Sequence, residues 1–305
     1  VKVSVIGAGA VGSQLAFALA IKNYENIAII DIKENLARAR ALDIMQSSSL
    51  WGFEGKVKGS GEYKDIEGSD IVVTTAGLAR KPGMTREALF DTNCKITRSV
   101  AAEIGKHAPG CIMIVVTNPL DIMAYIAYRE SGFSPEKVMG MAGVLDTARY
   151  KYFISEKLSC SPSEVEALVL GMHGADMVIT DGARAGKKNL KDFLSVKDLQ
   201  GLKERTKKAG KEVVELLGSG SASFAPAASV SLMVDSIRHD RKEILPCSVH
   251  TRSAYGLGDI FIGLPAVIGR AGVEEVVEEE IGEAARKELL DAGKKIEKKI
   301  RKLEL

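Results

Sequence analysis

Four short stretches of this 305-residue chain carry residues whose types and spacing could do chemistry. His173, one of four histidines, follows an apolar run and is flanked by glycines in "LVLGMHGADMV". An imidazole at a strand end reaches a cleft and changes charge near neutrality, so it suits proton transfer. Taken alone, though, a single histidine is more often a satisfied structural residue. Asp146 and Arg149 stand three apart in "GVLDTARY", at the expected first turns of a helix. That spacing puts a carboxylate and a guanidinium on one face; as an ordinary surface ion pair it would be common and worth little. In "VVTNPLD", Asn118 ends an apolar strand and offers a donor and an acceptor at the edge where open α/β sheets bind ligands. Its structural alternative is a helix cap. The loop "TAGLARKPGMTRE" gathers Arg80, Lys81 and Arg86 in glycine- and proline-broken chain directly after "DIVVTT". A loop of that composition has no hydrophobic reason to settle on the surface, so an anionic ligand is the expected source of its order. His107, His239 and His250 sit among charged or polar residues and are read as surface or structural.

A fifth stretch concerns a cofactor. In "VIGAGAVG", Gly7, Gly9 and Gly12 form G-x-G-x-x-G between an apolar strand and a helix. Gly7 permits a tight turn, Gly9 lets the backbone approach a pyrophosphate, and Gly12 lets helix and strand pack closely, while the helix N-terminus supplies free N–H donors. Ala10 and Val11 complete that loop. The motif alone is weak, but Asp31 lies nineteen residues after Gly12, at the end of the next strand "NIAIID". A carboxylate there accepts hydrogen bonds from ribose hydroxyls and repels a 2′-phosphate, which points to NAD and not NADP.

The elements that must position these residues follow from the pattern of the chain. Strand-like runs alternate with helical ones: "KVSVIG", a helix near 11–22, "NIAIID", a helix near 34–49, "DIVVTTAG", a helix over about 85–107, "CIMIVVTN", a helix near 120–131 and "KVMGMAG". Alternation of this kind implies parallel strands joined by helical crossovers, a Rossmann-type doubly wound α/β sheet. Beyond about residue 142 the pattern loosens into a helix from 145, the strand-like "EVEALVLG", a turn at "RAGKKN", helices near 197–217 and 224–238, then "EILPCSV" and "DIFIGLPAVI". The expected organisation is therefore a dinucleotide-binding part over 1–142 and a mixed α+β substrate part over 143–305. At the C-terminus, apolar residues from Ile281 to Leu303 recur at helical intervals, with Glu283/Lys287, Asp291/Lys295 and Glu297/Arg301 at i,i+4; its basic end is read as a solvated face.

Composition excludes several classes of function. With 42 basic and 40 acidic residues, a formal net charge of +2 offers no field suited to nucleic acid or an anionic membrane. The longest clean apolar run, "CIMIVV", is far shorter than the roughly 20 residues of a membrane span. Cys94, Cys111, Cys160 and Cys247 are scattered with no C-x-x-C pair, as expected of reduced thiols and not of a disulfide frame or zinc site. The chain opens directly on a strand-like segment, and a cytoplasmic location is expected.

Taken together, "GAGAVG", "AGLARKPGMTR", "TNPLD", "GVLDTAR", "MHG" and "SASFAPAAS" occur in the order and approximate spacing of a known family. Over essentially its whole length the chain resembles the lactate/malate dehydrogenases, and within them the lactate-dehydrogenase-like malate dehydrogenases. The resemblance implies reversible hydride transfer between malate/oxaloacetate and NAD+/NADH in a homodimer or homotetramer. By it, His173 is the acid/base, Asp146 its partner, and Arg149 the clamp on the substrate's C1 carboxylate. Asn118 contacts substrate and cofactor, Arg86 polarises the reacting carbonyl, Arg80 binds the second carboxylate of a dicarboxylate, and Lys81 is left facing solvent. Gly7, Gly9, Ala10, Val11, Gly12, Asp31, Asn93, Val116 and Asn118 would border NAD. Two departures stand beside His173: Gly174-Ala175-Asp176 where the family reads Gly-Asp, and Ile179 where a proline is common. The alternatives are a lactate or other 2-hydroxy-acid dehydrogenase, separated mainly by Arg80, and a non-catalytic NAD-binding protein, which would not need this set of polar residues together. An NAD-dependent glycosidase of related fold would need metal ligands, and no Cys/His pair is placed to serve.

Overall fold

The strand β1 (Lys2–Ile6) buries Val3 and Val5 completely, and the chain then turns straight into α1 (Ala10–Ile21). The computed structural model describes residues 1–78 and 85–303, apart from the side chain of Arg86. Next come β2 (Asn26–Ile30), α2 (Glu34–Gln46), α3 (Ser48–Trp51), β3 (Lys56–Ser60), β4 (Ile71–Thr74), α4 (Arg86–His107), β5 (Ile112–Val115), α5 (Leu120–Ser131) and β6 (Val138–Gly140). These six strands are all parallel and lie in the order β3-β2-β1-β4-β5-β6. That order reverses direction at β1/β4, the crevice where doubly wound sheets take their ligands. Every residue of β4 and β5 is buried, as a parallel sheet with helices on both faces requires.

The second half continues the same sheet. It comprises α6 (Gly143–Leu158), β7 (Val165–Glu166), β8 (Val169–Gly171), β9 (Met177–Ile179), β10 (Arg184–Ala185), β11 (Lys188–Asn189), α7 (Val196–Leu217), α8 (Phe224–Arg238), β12 (Glu243–His250), β13 (Phe261–Gly269), β14 (Gly272–Val276) and α9 (Glu283–Ile300). β12 joins the parallel strands antiparallel to β6, through Ser248 opposite Gly140, and β13, β8 and β9 extend the sheet with β14 on β13. β11, β10 and β7 form a small antiparallel sheet apart. A large core spans both halves, and a smaller one gathers Tyr150, Phe153, Ile154, Val169 and Ile179 under α6 and α7. Ile179, at the position where a proline was expected, fills that second core at 6% exposure. No helix among the described residues is long and apolar enough to cross a membrane.

Several elements differ from the sequence expectation. β3 was not anticipated: its Lys56, Lys58 and Gly59 read as loop, but lysines suit an edge strand, and Gly59 is where α2 presses in, since a Cβ there would sit 2.2 Å from the Ala37 carbonyl oxygen. The run "EVEALVLG" is two strands in different sheets, β7 and β8. α6 begins at Gly143, two residues before the expected start, because only a residue without a side chain fits between Pro246 and the Val169 carbonyl, both 2.8 Å from a built Cβ. On α9 the expected Asp291/Lys295 pair does not form. Lys295 reaches Asp176 at 2.5 Å, Asp291 meets Lys294 at 3.4 Å, and Glu297/Arg301 stands at 3.8 Å.

Candidate active site

Because β1, β2, β4, β5 and β6 run parallel, the residues that follow them all emerge on one edge of the sheet. After β1, Gly7 takes φ +108°, and its amide donates to the Ile30 carbonyl at 2.7 Å. A Cβ on Gly12 would lie 1.9 Å from the Gly7 carbonyl oxygen, so the α1–β1 approach demands glycine, whereas one on Gly9 would meet nothing within 4 Å. Gly9 is also the N-cap of α1 and has no side chain to cover the free amides there. A bare, open helix N-terminus is what an anionic pyrophosphate needs. Ala10 is exposed and Val11 half-buried beside it. After β2, the two oxygens of Asp31 accept the Ala8 and Lys33 amides, each at 2.8 Å. These bonds fix the carboxylate between the glycine loop and α2, and each oxygen keeps acceptor capacity for a ribose hydroxyl. The set fits a dinucleotide.

The loops after β4 and β5 are tied together by Asn93 on α4, which is 2% exposed. Its Oδ1 accepts the Leu78 amide at 2.8 Å, and its Nδ2 donates to the carbonyls of Leu78 at 3.3 Å and Asn118 at 2.8 Å. The amide expected to border the cofactor is thus engaged by the protein, holding the loops in place. Thr117 adds a bond from its hydroxyl to the Ala76 carbonyl at 2.7 Å. Asn118 does not cap α5: Pro119 is the N-cap, and the Asn118 side chain is exposed on the same edge, next to half-buried Val116. Arg80 and Lys81 lie outside the described residues. Arg86 opens α4 behind the N-cap Thr85, whose hydroxyl accepts the Ala88 amide at 3.1 Å.

After β6, α6 brings Asp146 into its first turn at 1% exposure. His173, carried on the β8–β9 turn, meets it: Nδ1 stands 2.7 Å from Asp146 Oδ2. Asp146 Oδ1 faces Arg149 Nη1 at 3.5 Å. Burial by itself would depress the proton affinity of His173; the charge and hydrogen bond of Asp146, then the charge of Asp121, outweigh it against the opposing charge of Arg149, and the pKa is raised above its ordinary value. With Nδ1 committed to the carboxylate, Nε2 is left to give or take a proton. Burial lowers the pKa of Arg149, and Asp146 opposes the change; the guanidinium remains a cation. Gly210 on α7 lies beside it, where a Cβ would stand in ordinary contact with Nη2 at 3.6 Å. Asp176, part of the departure after His173, is held by Lys295 of α9, which anchors the turn.

Two groups here carried no role in the sequence reading. Asp121, quoted within "TNPLD", is 3% exposed and accepts the His173 amide at 3.0 Å and the Ser248 hydroxyl at 2.8 Å. Its place in the same motif as Asn118 was the available signal; Ser248, inside a buried strand, had none. The remaining histidines lie elsewhere: His107 between Glu67 and Glu103 at 3.5 and 3.3 Å, His250 against Asp259 at 2.5 Å, and His239 exposed after α8.

Residues 1–140 match the family described as lactate/malate dehydrogenase, NAD binding domain, and residues 143–304 match lactate/malate dehydrogenase, alpha/beta C-terminal domain. The chain belongs to the lactate/malate dehydrogenase family. Within that family it is 45% identical to malate dehydrogenase of Bacillus subtilis (strain 168) over 94% of this chain and 93% of that one. It is 41% identical to malate dehydrogenase of Ehrlichia canis (strain Jake) over 98% and 97%. Among solved structures, Cryptosporidium parvum malate dehydrogenase superposes with a TM-score of 0.94 at 36% identity, covering 99% of both chains. The lactate dehydrogenase of the same organism, complexed with lactic acid and nicotinamide adenine dinucleotide, gives 0.95 at 34% identity over 99% and 98%. The lactate/malate dehydrogenase fold therefore extends over the entire chain.

Proposed function

We propose that this protein is an NAD-dependent malate dehydrogenase in which His173 exchanges the proton and Arg149 grips the substrate's C1 carboxylate. The observation that carries the reading is that His173 and Arg149 both meet the buried carboxylate of Asp146, in a chain that also has a glycine loop whose helix N-terminus is bare. Bound NADH supplies the hydride to the 2-oxo carbon. The alkoxide that forms needs a proton, and His173 Nε2 delivers it, with the raised proton affinity favouring the charged imidazole. Asp146 stabilises that charge and fixes the tautomer. Arg149 suits a carboxylate because a planar guanidinium binds it bidentately and so orients the reacting carbon. Arg86 adds positive charge where the carbonyl oxygen becomes negative, and Arg80 pairs with the distal carboxylate.

NAD is preferred over NADP in this reading because Asp31 would repel a 2′-phosphate. The same reading divides the chain at 142/143 into cofactor and substrate parts, which the two family matches support. It also takes the protein to be a cytoplasmic homodimer or homotetramer serving the tricarboxylic acid cycle. Four free thiols agree with a reducing compartment, and Leu50, Trp51, Leu216 and Phe224, exposed at 85%, 61%, 83% and 80%, supply apolar surface for association. Lactate dehydrogenation is the competing reading, because solved structures of both kinds share this fold; Arg80 favours the dicarboxylate. Malate-dependent reduction of NAD+, followed by absorbance, tests the proposal. It should be robust in the native protein and fall by about 10²- to 10⁴-fold in His173→Asn, while a variant that turns over like the native protein would remove His173 from the mechanism.

A further inference from the structure

Among the described residues, Asp121 is the one carboxylate bonded to His173 that the proposed reaction does not use. It sits in the first turn of α5, and its two oxygens face two other elements: Oδ2 accepts the main-chain amide of His173 at 3.0 Å, and Oδ1 accepts the hydroxyl of Ser248, on β12, at 2.8 Å. Through these bonds α5, the central strand β12 and the β8–β9 turn converge on a single side chain. We propose that Asp121 is a positioning residue for the acid/base: it fixes the main chain of His173 and stations a second negative charge beside the imidazole.

The physical argument rests on why a carboxylate stands there at all. If only an acceptor for one N–H were needed, a neutral amide would serve, and burying a neutral amide costs far less than burying an ion. Two hydrogen bonds leave a carboxylate short of its full complement of donors. Its negative charge is sustained in part by the proton on the imidazole. Among the described residues, the charged groups that act on the ring are Asp146 and Arg149 from α6 and Asp121 from α5. The effect is mutual: His173 lowers the proton affinity of Asp121, while Asp121 raises that of His173. Burial is the larger influence on Asp121 and pushes its carboxyl up to about 6, so it is mostly charged at neutral pH and loses its charge in mild acid.

Two substitutions separate position from charge. Asp121→Asn is isosteric and keeps the bond to the His173 amide through Oδ1, while toward Ser248 the direction reverses, Nδ2 donating to the hydroxyl oxygen; it removes the charge. Asp121→Ala removes both. The readout that a purely structural role would not move is the titration of the His173 imidazole itself, followed by NMR in histidine-labelled protein without cofactor. With four histidines in the chain, its resonance is the one missing in His173→Asn. In Asp121→Asn, the titration midpoint and the alkaline limb of oxaloacetate reduction should both move to lower pH, with turnover at the acidic end within about threefold of native. Asp121→Ala should lose about 10- to 100-fold in kcat through misplacement of the ring. A midpoint in Asp121→Asn that coincides with the native one would overturn the role of the charge, and native turnover in Asp121→Ala would overturn the role in positioning. Should Asp121→Ala fail to fold, Asp121→Ser, too short to hold both partners, takes its place in judging position, and Asp121→Asn still judges the charge. The inference rests on His173 being the acid/base, yet the two fail separately: native turnover in His173→Asn sinks the proposed function, whereas the NMR midpoints judge Asp121 whatever the activity.

Discussion

Gly9 and Gly12 belong to one motif but stand in different surroundings, so replacing each by alanine should break different things. A Cβ at Gly12 would be 1.9 Å from the Gly7 carbonyl oxygen and 3.0 Å from Thr75 Oγ1. The first neighbour is backbone and cannot swing aside; α1 must shift from β1. Overpacking of this kind costs about 1–3 kcal/mol, which for a chain of this size lowers Tm by about 2–5 °C. Gly9 has φ −70° and ψ −170°, open to any residue, and its Cβ would meet nothing within 4 Å. Alanine is a poorer N-cap than glycine by up to about 1 kcal/mol, and the stiffer unfolded chain returns about 0.4–1 kcal/mol. Stability should therefore stay nearly unchanged. The new methyl would instead occupy the space left for a pyrophosphate, and a tenfold rise in the Kd of NADH corresponds to about 1.4 kcal/mol. Thermal unfolding without ligand and NADH fluorescence titration together read both effects. Gly9→Ala should melt with the native protein and bind NADH at least about tenfold more weakly; Gly12→Ala should melt early. Early melting of Gly9→Ala with native affinity, or a Gly12→Ala variant that melts like the native protein, would refute this division of roles.

Three further outcomes are expected. Asp31→Ser should raise the NADPH/NADH ratio of kcat/KM, mainly by improving NADPH, because removing repulsion is the larger effect; equal efficiencies with the two cofactors in the native protein would contradict the role of Asp31. In the proposed mechanism reduction needs the His173 imidazolium, so oxaloacetate reduction should fall as pH rises through the raised pKa of His173, and malate oxidation should fall as pH drops below it. In Asp146→Asn the reduction limb should shift to lower pH, because the charge holding the proton is gone, and an unmoved limb would show that Asp146 does not act through the imidazole.

The parallel half of the sheet was readable because its strands are buried on both faces and announce themselves as apolar runs between helices. β3 and β14 were not: one carries lysines and the other paired glutamates, "KVKGS" and "GVEEV", as edge strands do. The cofactor loop was readable for a different reason. Gly7, Gly12 and Asp31 have types dictated by φ, by close approach and by hydrogen bonding, and the structure shows each constraint. His173 and Asp146 lie 27 positions apart, so their 2.7 Å contact could be anticipated only through the family motifs. Asp121 went unassigned because its partners are a main-chain amide and a serine far along the chain. Asn93 also ties Leu78 and Asn118 together through its amide, a role the sequence did not show, because a sequence gives a residue's capacity for hydrogen bonds and not where they go.

The central claim is that the site reads a dicarboxylate. Its most direct test is the ratio of kcat/KM for oxaloacetate over pyruvate, with NADH, in the native protein and in Arg80→Gln. A closed site that leaves a buried polar partner unpaired can discriminate by about 10⁴-fold, so the native ratio should approach that size and collapse in Arg80→Gln through loss on oxaloacetate and relative gain on pyruvate. A native ratio near one, or a ratio that Arg80→Gln leaves unchanged, would contradict the assignment.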